Sequence, residues 1–173
     1  MNNTMKSHKI AQIGMLVALA MVFSYLEFLV PVSLGIPGIK LGLSNLVTVF
    51  ALYLLGIPTA FGISFVRIVL CGITFGSLST MLYSMAGGML SFLVMVLLKK
   101  TKKFSVYGVS IAGGVGHNVG QLLVAACVLQ TGVLIYYFPF LLLAGTVAGA
   151  AIGLMGGIII KRLSSQGDIN NKL

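Results

Sequence analysis

Few ionisable or carboxamide side chains stand deep in the apolar runs of this chain: Glu27, Asn45, Arg67, His117, Asn118 and Gln121, with Lys40 at a rim. One carboxylate, two fixed cations, an imidazole and three carboxamides suit the holding of a ligand better than the breaking of its bonds. An unpaired charge near a bilayer centre costs about 2.5–3.5 kcal/mol even on lenient insertion scales, so these groups are expected to face the bundle interior and one another. Glu27 can neutralise one cation, which leaves a positive charge on Arg67 or Lys40. That excess suits a ligand with an anionic group. His117 and Gln121 are four residues apart and share a helix face, with Asn118 beside them. Gly116 and Gly120 leave room there for something bulky. The structural alternative is a buried Glu27–Arg67 ion pair with the carboxamides tying helices together.

Several chemistries are excluded by what the chain lacks. Asp168, the sole aspartate, lies in the polar C-terminal stretch, so no aspartate-rich magnesium–diphosphate site can be built. No phosphate loop is present for a nucleotide. His8 and His117 are too far apart in sequence for a zinc or haem site, and a catalytic triad at His117 would have only Glu27 to draw on. The expectation is a protein without a catalytic residue, metal or cofactor.

The elements that must position these residues are membrane helices. Hydrophobic residues make up 58% of the 173 and charged residues 8%, against roughly a quarter charged in ordinary soluble domains. Between Lys9 and Lys99 the charges are Glu27, Lys40 and Arg67, and between Lys103 and Lys161 there are none. Six spans fit the apolar runs: about 10–30, 41–55, 59–73, 77–98, 104–129 and 138–160. This is an all-α six-helix transmembrane bundle, with a short segment 1–9 before the membrane domain 10–163 and a polar tail 164–173. Lys6 and Lys9, the Lys99–Lys103 block, and Lys161 with Arg162 all fall on one side of such a bundle. Positive charge marks the cytoplasmic side, so both termini are expected there, in a bacterial cytoplasmic membrane. That placement also explains the +9 net charge without nucleic acid.

The first 30 residues mimic a secretory signal with Ala18-Leu19-Ala20 as a cleavage site, but the apolar run continues to Val30, which reads as an uncleaved span. Cys71 and Cys127 sit in apolar runs and are expected to be buried bystander thiols. The second and third spans are short and flank Gly56-Ile57-Pro58, and half-length helices near a binding site recur in transporters. Gly145, Gly149, Gly153 and Gly157 form a smooth stripe, as do Gly116 and Gly120, fit for close helix packing within the chain or against a partner.

Certain runs carry a resemblance. Pro37-Gly38-Ile39-Lys40-Leu41-Gly42-Leu43-Ser44-Asn45, Arg67, Phe75-Gly76 with Leu82-Tyr83-Ser84-Met85-Ala86-Gly87-Gly88, Gly116-His117-Asn118-Val119-Gly120-Gln121 and Tyr136-Tyr137-Phe138-Pro139 resemble the Gx transporter family. Its members are commonly labelled heptaprenyl diphosphate synthase component I. The family looks like the substrate-binding S components of energy-coupling factor transporters. The resemblance implies six helices, a ligand pocket toward the outer face, and work with a transmembrane T subunit and two ATPases. Tyr83 and Tyr136 then join the pocket as second-rank candidates. Gly14 and Ala18 stand where such proteins carry the small-residue patch that meets the T subunit. The synthase label implies another partner, a soluble prenyl synthase, which this chain would accompany without catalysis in isoprenoid or menaquinone metabolism. Relatives of this kind also resemble membrane components of flavin-based electron transfer. The two expectations are thus a transporter-like binding protein and a membrane anchor.

Overall fold

The computed structural model describes residues 3–29, 42–130 and 132–170, with side chains over the parts of these between 7 and 162. They form six α-helices: α1 (Asn3–Leu29), α2 (Asn45–Leu54), α3 (Ile57–Thr74), α4 (Leu78–Thr101), α5 (Val106–Leu129) and α6 (Phe138–Asn170). Five are long and apolar enough to cross a membrane. Large apolar side chains stay exposed around the whole bundle, among them Ile10, Ile73, Phe140 and Val147, the surface of a multi-pass membrane protein with lipid as its solvent. One 3-10 turn, Gly132–Tyr137, leads into α6 and was not expected from the sequence. Helix α6 continues unbroken from its apolar part through the polar stretch expected as a tail, to Asn170.

Local residue choice fixes the helix ends. Gly56 adopts a left-handed φ of 86°, and Pro58 falls in the first turn of α3, where a missing N–H costs nothing. Ser77 opens α4 with a capping box: its Oγ accepts from Thr80 N at 3.2 Å, and Thr80 Oγ1 accepts from Ser77 N at 2.7 Å. Ser105 caps α5 by accepting from Gly108 N at 3.3 Å.

Helix α2 is the organising element. Its ten residues rise about 15 Å, half of a hydrocarbon core. It is apolar all round and sits inside the others, Val49, Ala51 and Leu52 packing with Leu16, Ala60, Ile63, Met95, Val109 and Ile152. Both of its ends are held by charge. Glu27 of α1 accepts from the main-chain N–H of Gly42 and from that of Leu43 at 2.8 Å. At the other end Lys99 of α4 donates to the Leu52 carbonyl at 2.5 Å and lies 4.7 Å from the Tyr53 ring centroid. A carboxylate at the start and an ammonium at the finish both match the helix dipole. Substituting Glu27→Gln keeps an acceptor and removes the charge. A charged bond contributes roughly 1 kcal/mol more than a neutral one, so the purified variant is expected to melt about 2–4 °C lower, read by thermal unfolding in detergent.

The glycine stripes turn inward. A Cβ on Gly114 of α5 would stand 2.3 Å from the Gly145 carbonyl oxygen, and one on Gly149 would stand 2.7 Å from Ile111 Cα. Gly120 lies as close to α4, with Ala86 O at 2.6 Å. The stripes are therefore packing surfaces within this chain, and α5 is clasped between α4 and α6. Both thiols are free as expected, with Cys71 buried but Cys127 on the exposed surface.

Candidate functional site

The turn 42–45 ahead of α2 is where four helices meet. Gly42 carries a φ of 84°, open to glycine without strain, and the turn closes through Asn45 N donating to Gly42 O at 2.8 Å. Glu27 of α1 holds its first two amides. From α3, Arg67 Nη1 donates to Ser44 Oγ at 2.6 Å and to Ser24 Oγ of α1 at 3.3 Å. From α5, the His117 ring abuts the turn: a Cβ on Gly42 would lie 2.9 Å from Asn45 Nδ2 and 3.4 Å from His117 Cδ2. Helix α4 contributes Gly87, where a Cβ would stand 2.8 Å from the His117 carbonyl and from Gln121 Cγ. Only glycine lets α4 and α5 close on this ring.

Depth along the helices agrees. Asn45 is nine residues from the end of α2, Arg67 ten from the start of α3 and His117 eleven from the start of α5, each about 14–16 Å from a helix end on the side that the Lys99–Leu52 contact marks. Asn45 therefore lies at mid-depth with Arg67 and His117. The reason is that α2 starts at Asn45 itself, after a turn, instead of running from residue 41.

The structure thus brings together Glu27, Asn45, Arg67, His117 and Gln121. Asn118 turns away: its Nδ2 donates to the Leu141 carbonyl of α6 at 2.8 Å, tying two helices. Tyr83 is buried in a separate apolar cluster with Leu122, Leu134 and Leu141, and Tyr136 is 76% exposed. Lys40 lies outside the described residues. Gly14 and Ala18 occupy the open side of α1, and a Cβ on Gly14 would meet nothing within 4 Å. Sequence reading missed Ser24 and Ser44, the hydroxyls that seat Arg67. Ser24 is three residues before Glu27, on the same helix face, and Ser44 adjoins Asn45, so proximity to named residues was the available signal.

The unmet hydrogen-bond capacity is lopsided. Arg67 is 4% exposed, yet its Nε and Nη2 meet no acceptor among the described residues, and neither does Asn45 Nδ2. Each orphaned buried group costs about 1–3 kcal/mol, more when charged, and such groups in a native fold call for an explanation. Arg67 also lines a cavity with Ser24, Ile68, Cys71, Gly72, Thr80, Met81 and Ser84. Its volume, about 10 Å³, is close to what one water needs. No cluster of metal-ligating side chains occurs among the described residues. The arrangement can bind an acceptor-rich group and orient it.

Comparison with curated proteins and with solved structures finds no match. A family model described as heptaprenyl diphosphate synthase component I matches residues 16–159. That stretch takes in α2 to α5 whole, most of α1 and α6, and the whole turn that Glu27, Arg67 and His117 surround, and by this match the chain belongs to the heptaprenyl diphosphate synthase component I family.

Proposed function

We propose that this membrane protein binds a small anionic or amphiphilic molecule inside the bundle, as part of its translocation, and catalyses no reaction on it. The observation that carries the reading is the buried Arg67 guanidinium, seated by two serines and left with two N–H-bearing nitrogens unmet beside a cavity. Asn45 Nδ2, without an acceptor among the described residues, adds a third donor in the turn that Arg67 joins through Ser44. Glu27, His117 and Gln121 shape and support this site. Lys40, Asn118, Tyr83 and Tyr136 stay as outer candidates, Asn118 as a helix tie. The protein would sit in a bacterial cytoplasmic membrane with both termini inside. The test is mass spectrometry of small molecules that co-purify in nanodiscs. A species is expected on the wild type and lost from folded His117→Ala; an empty wild type that captures a soluble prenyl synthase would overturn the reading.

The open Gly14/Ala18 side of α1 suits a transmembrane T subunit with its ATPases. Gly14→Leu is expected to abolish co-purification with such a subunit while shifting the Tm by less than about 2 °C, since nothing in this chain touches that position. A second reading rests on the family's description, which names a component of a prenyl diphosphate synthase. There the chain is a non-catalytic membrane subunit that anchors a soluble synthase, or serves quinone- or flavin-linked electron transfer. It predicts tolerance at His117 and sensitivity at the exposed Lys100, Lys102 and Lys103.

A further inference from the structure

The Arg67 cavity has an apolar neighbour that shares one lining residue with it. Along the line where α3 meets α4 it is followed by an apolar groove lined by Phe61, Ser64, Phe65, Ile68, Met85, Gly88, Met89 and Phe92, and Ile68 belongs to both. The groove covers eight residues of α3, Phe61 to Ile68, about 10 Å of helix. Its rim opens on the outer surface of the bundle: Phe61, Phe65 and Met89 are each 42–46% exposed. Its floor is kept low by Gly88, where a Cβ would come within 2.8 Å of Ile68 Cδ1. The α3–α4 seam thus has, at one end, Arg67 donors with no acceptor among the described residues and, at the other, a lipid-side apolar trough.

The residues that close the seam are built to move. Helix α4 presents Met81, Met85 and Met89 at four-residue intervals, the first in the cavity wall and the other two in the groove. Met81 covers Gly72 of α3, its Sδ 2.7 Å from where a Cβ would be. Methionine is unbranched with three rotatable bonds, so it can repack around an entering chain. A cavity of one water's size must widen to take a headgroup, and this row of methionines is what can yield.

We infer that the α3–α4 seam takes a single-chain amphiphile with an anionic headgroup, the head at Arg67 and the chain along Phe61, Phe65 and Met89. The inference rests on the reading of Arg67 as a ligand-binding residue and narrows its substrate class. Bulk lipid and a dedicated single-chain phosphate share this chemistry, and competition separates them. The probe is dodecyl phosphate with a diazirine in its chain, photolysed with the full-length protein in phosphatidylcholine nanodiscs, the labelled residues then mapped by mass spectrometry.

Saturable labelling is expected at Phe61, Phe65, Met85 and Met89, displaced by unlabelled dodecyl phosphate. Arg67→Gln is expected to lower it about tenfold or more, the loss of one buried charged contact, with Arg67→Lys retaining part of it. Ser64→Leu fills the groove, leaves the guanidinium in place and is expected to abolish groove labels, so the test survives a misfolded arginine variant. Equal labelling of Leu143, Val147 and Ile158 on α6, or displacement by phosphatidylglycerol as strong as by dodecyl phosphate, overturns the inference in favour of bulk lipid. If inorganic phosphate alone displaces the probe equally well, the tail groove falls and the Arg67 site stands. Labelling that no phosphate compound displaces, in a wild type that co-purifies nothing, removes both.

Discussion

Arg67→Met is expected to leave the bundle folded, with a Tm equal to or above that of the wild type, while lowering affinity for the ligand by roughly 30-fold to several thousand-fold. The two halves of this outcome come from one geometry. Arg67 is 4% exposed, with neutral hydroxyls on Nη1 and no acceptor among the described residues on Nε or Nη2. Such a charge has lost its hydration with little in exchange. Replacing buried charged groups by well-packed apolar ones of similar volume is often neutral or stabilising, by about 1–4 kcal/mol. Methionine is unbranched and of similar length, and the freed Ser24 hydroxyl can turn to a carbonyl of its own helix. A bound anion loses its buried charged partner, an effect of roughly 2–5 kcal/mol, and each 1.4 kcal/mol is tenfold. Thermal unfolding and ligand titration on one preparation check it. A variant that unfolds at once would make Arg67 a structural residue, and the functional reading would fall.

Gly114→Val is expected to have the largest effect on the fold itself, with most of the protein lost from the monodisperse peak in size-exclusion chromatography. The hypothetical Cβ at this position stands 2.3 Å from the Gly145 carbonyl oxygen and 3.1 Å from Gly149 Cα. Both are backbone atoms of α6, so no rotamer change relieves the clash and the two helices must move apart. Overpacking typically costs about 1–3 kcal/mol where side chains can adjust; here they cannot, and the loss is expected at or above that range. Separating α5 from α6 would also break the Asn118–Leu141 bond. In a bilayer the lipid tails are as apolar as the helix faces, so close backbone approach drives association where the hydrophobic effect cannot. Gly14→Val on the open side of α1 is the matched control, with no expected change in the chromatogram.

The two variants separate roles that a list of polar and small residues runs together. Gly14 and Gly114 look alike in sequence, yet one meets nothing and the other meets a backbone. Asn45 and Asn118 are both buried carboxamides, but one has its Nδ2 orphaned beside His117 and the other donates it across to α6. Chemistry type nominates such residues. Only their surroundings assign them.

Much was legible in the sequence because lipid is an unforgiving solvent. Charge had to be kept out of the hydrocarbon layer, so the long helices and the small set of interior polar residues could be read from composition and spacing. Helix ends followed from local rules at Pro58, Ser77 and Ser105. The rotation and register of each helix could not be read, since a helix apolar on every side carries no face preference. The tertiary structure alone decided that α2 is a buried half-length helix with its first turn at mid-depth, that Ser24 and Ser44 seat Arg67, and that the glycine stripes face inward. It also set the Arg67 cavity beside the groove between α3 and α4, with Ile68 lining both. These depend on close contacts between helices far apart in the chain, set by which backbones can approach within van der Waals reach.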